Sequence, residues 1–229
     1  MAENKNVTNQ EGAEQTLAKA RDFWTRNNKP VMIVLGAIIL LGGGWLVYKN
    51  FFQKPKEAKA AEAMYKAEEY YRMDSVNLAL NGDGQHLGFL KVISRYGGTD
   101  AANMAHFYAG SCFLKLGDNQ NAIKQLKDFS TDAKQIQARA WKLLADAYAD
   151  SGNNKEALNY YKKAGRHFVE DEMNSGEALF LAAYLADRVI KDKEEAIALY
   201  KEVKEKFPGP PYGDQADNYL AQLGVYNVN

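Results

Sequence analysis

Residues Trp141 to Ala164 read WKLLADAYADSGNNKEALNYYKKA, and this stretch decides the fold. Trp141, Leu144, Ala145 and Tyr148 stand at i, i+3, i+4 and i+7, the spacing of one helix face. Gly152 breaks that helix. A second helix follows, with Ala157, Tyr161 and Ala164 on one of its faces. Small side chains at Ala145 and Ala157 let two helices approach closely, and the aromatic residues fill the space around the contact. The reading is a helix hairpin.

The same grammar stands 35 residues earlier, at Gly110, Phe113, Gly117, Ala122 and Leu126, and 39 residues later, at Phe180, Ala196, Tyr200 and Pro208. Self-similarity at such a period marks a repeat architecture, in which each hairpin buries its apolar face only by stacking on its neighbours. The extra residues before the last unit predict an expanded connection around Glu170 to Gly176. Asp192 followed by Glu195 has the capping-box pattern for the start of that unit's second helix.

These residues resemble the tetratricopeptide repeat (TPR) family. The unit at Trp141 follows its W-x-x-L-G-x-x-Y then A-x-x-x-F pattern, with Ala145 in place of Gly and Tyr161 in place of Phe. The preceding unit has His106 at the tryptophan place. The last one has Tyr184 and Asp187 at the usual Gly and Tyr places, which leaves its register open. The resemblance implies an all-α class: helix-hairpin repeats at about 103–136, 138–171 and 177–210, stacked as an α-solenoid.

Before these units, Lys56 to Arg72 reads as a charged, Ala/Tyr-rich helix and His86 to Tyr96 as another, stopped by Gly97-Gly98. The pair is expected to form a divergent first repeat, about 55–100. Between them, Gly82-Asp83-Gly84 reads as a turn with positive backbone φ. Pro208-Gly209-Pro210-Pro211 breaks the chain after the last unit, and 215–223 is a closing helix. The repeat domain is then 55–229.

Val31 to Tyr48, VMIVLGAIILLGGGWLVY, carries no charge. As a helix it would be about 27 Å long at ~1.5 Å per residue, close to the ~30 Å of a bilayer's hydrocarbon core. Trp45 and Tyr48 suit the interface, and Lys29 and Lys49 bracket the run. A cleaved signal peptide is the rival reading. Against it, 29 residues precede the run and no small-x-small site directly follows it. The expectation is a single-pass anchor at 30–49, contacting lipid through 31–48. Lys19, Arg21, Arg26 and Lys29 on one side balance Lys49, Lys54, Lys56 and Lys59 on the other, so charge does not orient it. Gly42-Gly43-Gly44 has no G-x-x-x-G spacing for helix dimerisation. The tail, 1–29, starts polar and is expected to be disordered. Leu17, Phe23 and Trp24 could form a short interfacial helix beside the membrane.

Chemistry is sparse. Lys+Arg and Asp+Glu number 29 each, a balance that gives no reason to expect nucleic-acid binding. The lone cysteine, Cys112, allows no intramolecular disulfide and sits in an apolar helical stretch, as a packing residue. His86, His106 and His167 lack metal-ligand spacing. No G-x-S-x-G elbow or phosphate loop occurs. Glu68-Glu69 and Glu170-Asp171-Glu172 lack the alternating oxygen ligands of a calcium loop and read as solvated faces. No catalytic, metal or cofactor site is expected, and no enzyme.

Binding is the better expectation. The TPR resemblance implies a groove lined by the first helix of each repeat: Phe107, Ser111 and Leu114, then Lys142 and Asp146, then Leu181 and Leu185. The recurrent Lys and Asn that grip carboxyl-terminal tails are missing, so extended or unfolded segments are the expected occupants. Helix-in-groove binding is the other mode. The order of tail, anchor, the stretch DSVNLALNGDGQHLGFLKVISRYGGTDAANMAHFYAG and repeats is similar to YfgM-like ancillary partners of the bacterial protein-export translocon. That resemblance implies an inner-membrane adaptor with periplasmic repeats, whose partners are translocon components or emerging chains. A self-assembling envelope protein that pairs as a homodimer and a cytoplasm-facing signalling scaffold are the alternatives.

Overall fold

The computed structural model describes residues 4–226. Two compact units divide between Pro55 and Lys56. No strand occurs among the described residues, only one bridge between Gly82 and Leu87.

The first unit is a long helix, α1 (Asn4–Tyr48), followed by a π-helical turn, Lys49–Gln53. The tail expected to be disordered is therefore helical from Asn4 onward. Its Gln, Glu, Ala, Lys and Leu residues are good helix formers, and the only proline, Pro30, comes where the apolar run begins. Leu17, Phe23 and Trp24 lie on this same helix, exposed, and not on a separate interfacial one. The apolar stretch is long and apolar enough to cross a membrane, and it is not buried. Lys49 Nζ lies 4.9 Å from the centre of the Trp45 ring, a cation–π contact at one end of the run.

The second unit stacks ten helices. The first part comprises α2 (Lys54–Arg72, its body from Lys56 onward), a six-residue helix α3 (Val76–Asn81) and α4 (Phe89–Tyr96). Three hairpins follow: α5 (Asp100–Lys115) with α6 (Asn119–Asp128), α7 (Lys134–Asp150) with α8 (Asn154–His167), and α9 (Glu172–Leu185) with α10 (Lys193–Lys206). The closing helix, α11, is Tyr212–Gln222. The sequence reading missed α3, whose six residues are too few to show a helical period.

Polar side chains set many of the helix starts. Thr99, Asp118, Asn153, Asp171 and Asp192 each accept a hydrogen bond from the backbone N–H three residues on. At Asp192 the box is half formed. Its carboxylate caps Glu195 N, while the Glu195 carboxylate turns away to Lys162 Nζ, 2.7 Å off on the neighbouring hairpin. Glu57 does the same service across helices, its two oxygens accepting from Asp100 N and Ala101 N at 2.8 and 2.9 Å. That ties α2 to the positive end of α5.

The extra residues ahead of the last hairpin do not expand a loop. They lengthen α8, which has 14 residues against 10 in α6. Four residues make about one turn, so α8 grows without changing face. Glu170 to Gly176 is mostly the start of α9. At the other end α9 widens into a π-turn, Ala186–Ile190, and closes with Lys191 in the left-handed region. Tyr184, at the usual Gly place, points outward, while Ala182, Ala183 and Ala186 are fully buried instead.

The core is continuous in sequence but built in three clusters, one around Phe89 and Ala105, one around Phe107 and Leu144, one around Leu179 and Tyr200. Gly110, Ala122, Leu144, Ala145, Ala157, Tyr161, Ala164, Phe180, Ala196 and Tyr200 are buried; Phe113, Trp141 and Tyr148 are half-buried. A Cβ on Gly110 would come within 2.5 Å of Leu126 Cγ, so the Leu126 side chain of α6 packs directly on the backbone of α5 there. Trp141 is held by its own hairpin. His167 meets its edge at 4.7 Å between ring centres, and Lys163 Nζ lies 3.8 Å over its face.

Candidate peptide groove

The first helices of successive repeats carry the side chains that packing leaves available. On α7, Arg139, Lys142 and Asp146 occupy i, i+3 and i+7, one stripe. Lys142 Nζ lies 3.4 Å from Asp146 and 3.2 Å from Glu177 on α9, so it bridges two repeats. Burial disfavours its charge, but those two carboxylates outweigh that and hold its pKa above the ordinary lysine value. The Tyr161 hydroxyl donates to Asp146 Oδ1 at 2.6 Å. Burial first, and the Asp146 charge after it, push that hydroxyl's pKa up.

The other expected lining residues divide in two. Leu114 and Leu181 are half-buried and border the surface. Phe107, Ser111 and Leu185 are buried, because the helices use them for packing. Phe107 lies against Phe129, ring centres 5.4 Å apart, and Leu185 is part of the cluster around Leu179. The Ser111 hydroxyl is 2.8 Å from the Tyr71 hydroxyl, which joins α5 to α2. The lining expected from the family pattern therefore contracts to the half-buried Leu114, Lys142, Asp146 and Leu181.

A cleft that was not foreseen extends this surface. It encloses about 220 Å³ and is lined by Glu68, Tyr71 and Arg72 of α2, Phe107 and Tyr108 of α5, and Arg139 of α7. Its aromatic wall is a ladder. Tyr71 meets Tyr108 edge-on at 5.1 Å, Tyr108 stacks on Phe89 at 5.2 Å, and Phe107 meets Tyr108 edge-on at 5.5 Å. Burial, more than the Glu68 charge, raises the pKa of the Tyr108 hydroxyl, so it stays a neutral donor. Arg139 could have been found from the sequence, since it precedes Lys142 by one helical turn. Tyr71, Arg72 and Glu68 could not, because the divergent first repeat has no legible register.

A second cleft, of about 480 Å³, opens between the α6–α7 connection and the end of α8, with Trp141, Lys163 and His167 among its walls. Among the described residues no group of three or more His, Cys, Asp or Glu side chains is placed to hold a metal ion.

Two family comparisons agree with this architecture. The profile described as "Tetratricopeptide repeat-like domain" matches residues 21–168, and the one described as "Tetratricopeptide repeat" matches residues 177–210. A search of curated proteins returns no match. The first profile covers more than half of the chain and runs unbroken from the apolar helix through two hairpins. With three hairpins stacked in sequence and small residues at their crossings, the chain belongs to the tetratricopeptide repeat-like family.

Proposed function

We propose that this protein is a non-enzymatic adaptor held in the bacterial inner membrane by α1, with its repeats in the periplasm. Its repeats would gather polypeptides engaged in export, folding or envelope assembly. TPR domains serve as protein-interaction scaffolds, and TPR families are typically non-catalytic. One observation carries the reading: the stripe Arg139, Lys142 and Asp146, with the cleft beside it, is charged and aromatic surface that helix packing leaves available. Confinement at a membrane raises local concentration, so weak contacts on such a surface add by avidity.

Two measurements test it. Photo-crosslinking side chains placed at Arg139 and Lys142 in intact bacteria should capture translocon components or emerging chains. Capture of neither from both positions, while the protein is present and folded, rejects the adaptor reading. Protease added to spheroplasts should digest the repeats, and protection would put them in the cytoplasm.

A further inference from the structure

We infer that the cleft between α2, α5 and α7 is selective, taking a segment in which a carboxylate adjoins an aromatic or large aliphatic side chain. The inference rests on the groove reading above and gives that groove a chemical preference.

The apolar half of the preference comes from the ladder. Half-buried Tyr71 and Tyr108 line the cleft with the buried Phe107 packed beside them, and 220 Å³ leaves room for a single side chain, not for a helix. The acidic half comes from the two guanidinium groups. Arg139 is exposed and makes no hydrogen bond or ion pair among the described residues. Arg72 has only Glu68, at 3.7 Å, longer than a charge-assisted hydrogen bond. Glu68 is the one carboxylate in the lining, so two cations face one anion there.

The neighbouring charges do not extend this surplus. Lys142, one turn along α7, is occupied by Asp146 and Glu177, which leaves that stretch with more negative than positive charge. Lys115 lies 5.1 Å from the Tyr71 ring but is paired with Asp74. Among these side chains of α2, α5 and α7 the unpaired positive charge therefore lies at this cleft. Arginine's planar fork suits a carboxylate, and its stem and face pack against aromatic walls. The occupant is an internal segment that offers an Asp or Glu side chain, and free-ended peptides test a terminal carboxylate against it.

The full chain in detergent micelles would be probed with short peptides on an array, each with a central phenylalanine or leucine. Flanking pairs would be glutamate, glutamine or lysine, all with capped ends. A further set would carry the only carboxylate at a free end. Glutamate-flanked peptides should bind at least about tenfold better than the glutamine set. Arg139→Gln should cut that preference to threefold or less, and Arg72→Gln should reduce it also. Both residues lie at the surface, so neither change threatens the fold. A preference limited to free-ended peptides would assign the site to terminal carboxylates and overturn the inference. Equal binding of glutamate and glutamine peptides, or a preference that survives Arg139→Gln, overturns it and leaves the groove reading standing. Binding of no peptide on the array removes both.

Discussion

Gly165 on α8 and Leu179 on α9 meet backbone to backbone: a Cβ on Gly165 would lie 2.8 Å from Leu179 N and 2.9 Å from Ser175 O. This is the closest kind of contact between neighbouring hairpins, and it cannot relax by turning a side chain. Gly165→Ala should therefore destabilise the repeat unit by about 1–3 kcal/mol, the range for overpacking a tight contact. That outcome opposes helix propensity, which favours Ala over Gly by roughly 1 kcal/mol. Denaturant unfolding of the full chain in micelles, followed by circular dichroism, reads the midpoint. An unchanged or higher midpoint would show that α8 and α9 are not in contact as described.

Asp83 organises the turn between α3 and α4. Its carboxylate accepts from the Tyr70 hydroxyl at 2.6 Å, from His86 N at 2.6 Å and from Gln85 N at 2.9 Å, with His86 Nδ1 also 2.9 Å away. The Tyr70 bond first, then those from His86, hold its pKa well below the ordinary aspartate value of 3.8. Because the folded pKa is the lower one, this contribution is complete above that value and fades as pH falls toward the folded one. In an acid titration by NMR, the His86 and Gln85 amide signals should shift with a midpoint below 3.8. A midpoint at or above it would mean the bonds do not persist in solution. Asp83→Ala should release both amides to exchange at neutral pH.

Cys112 is fully buried in α5, and burial pushes its thiol up to about 12, against a small opposing pull from Lys115. The thiolate is the reactive form, so at pH 8 only on the order of one molecule in ten thousand would carry it, and that one behind packed helices. A maleimide should leave the folded chain unmodified over hours and label it as denaturant opens the first hairpin. Complete labelling within minutes under native conditions would contradict the packing around Ala105 and Phe89.

The sequence revealed most where packing imposes a period. Ala145, Ala157 and Tyr161 were legible because close helix crossings demand small residues flanked by large ones at fixed spacing. The groove was legible only in part. A family register says which positions face inward along the solenoid, but not how far a neighbouring helix covers them, and Phe107, Ser111 and Leu185 are covered. Arg72 and Tyr71 reach the cleft through the path of α2, which depends on contacts such as Glu57 to Asp100 N that join residues 43 apart. The one-turn extension of α8 does not show in the sequence, because four added residues preserve helical phase. An insertion of that length is silent in the hydrophobic pattern.

The same comparison of repeats yields a prediction of opposite sign to the first. Gly117 and Gly152 end the first helix of their hairpins at φ of +75° and +78°, and the equivalent residue in the last hairpin is Lys191, at +65°. A side chain in that region costs roughly 1–2 kcal/mol, which glycine avoids. Glycine in turn loses more chain entropy on folding, by roughly 0.5–1 kcal/mol. The Lys191 side chain is exposed, so little packing is lost with it. Lys191→Gly should then raise stability by about 0.5–1 kcal/mol, while Gly152→Ala should lower it by about 1 kcal/mol, for the same reason run backwards. Repeat arrays transmit such changes mainly to the nearest neighbours, so amide exchange should slow in α9 and α10 and stay unchanged in α5. If Lys191→Gly lowers the unfolding midpoint instead, the π-turn at Ala186–Ile190 does not end in the left-handed conformation, and the equivalence of the three hairpin turns fails with it.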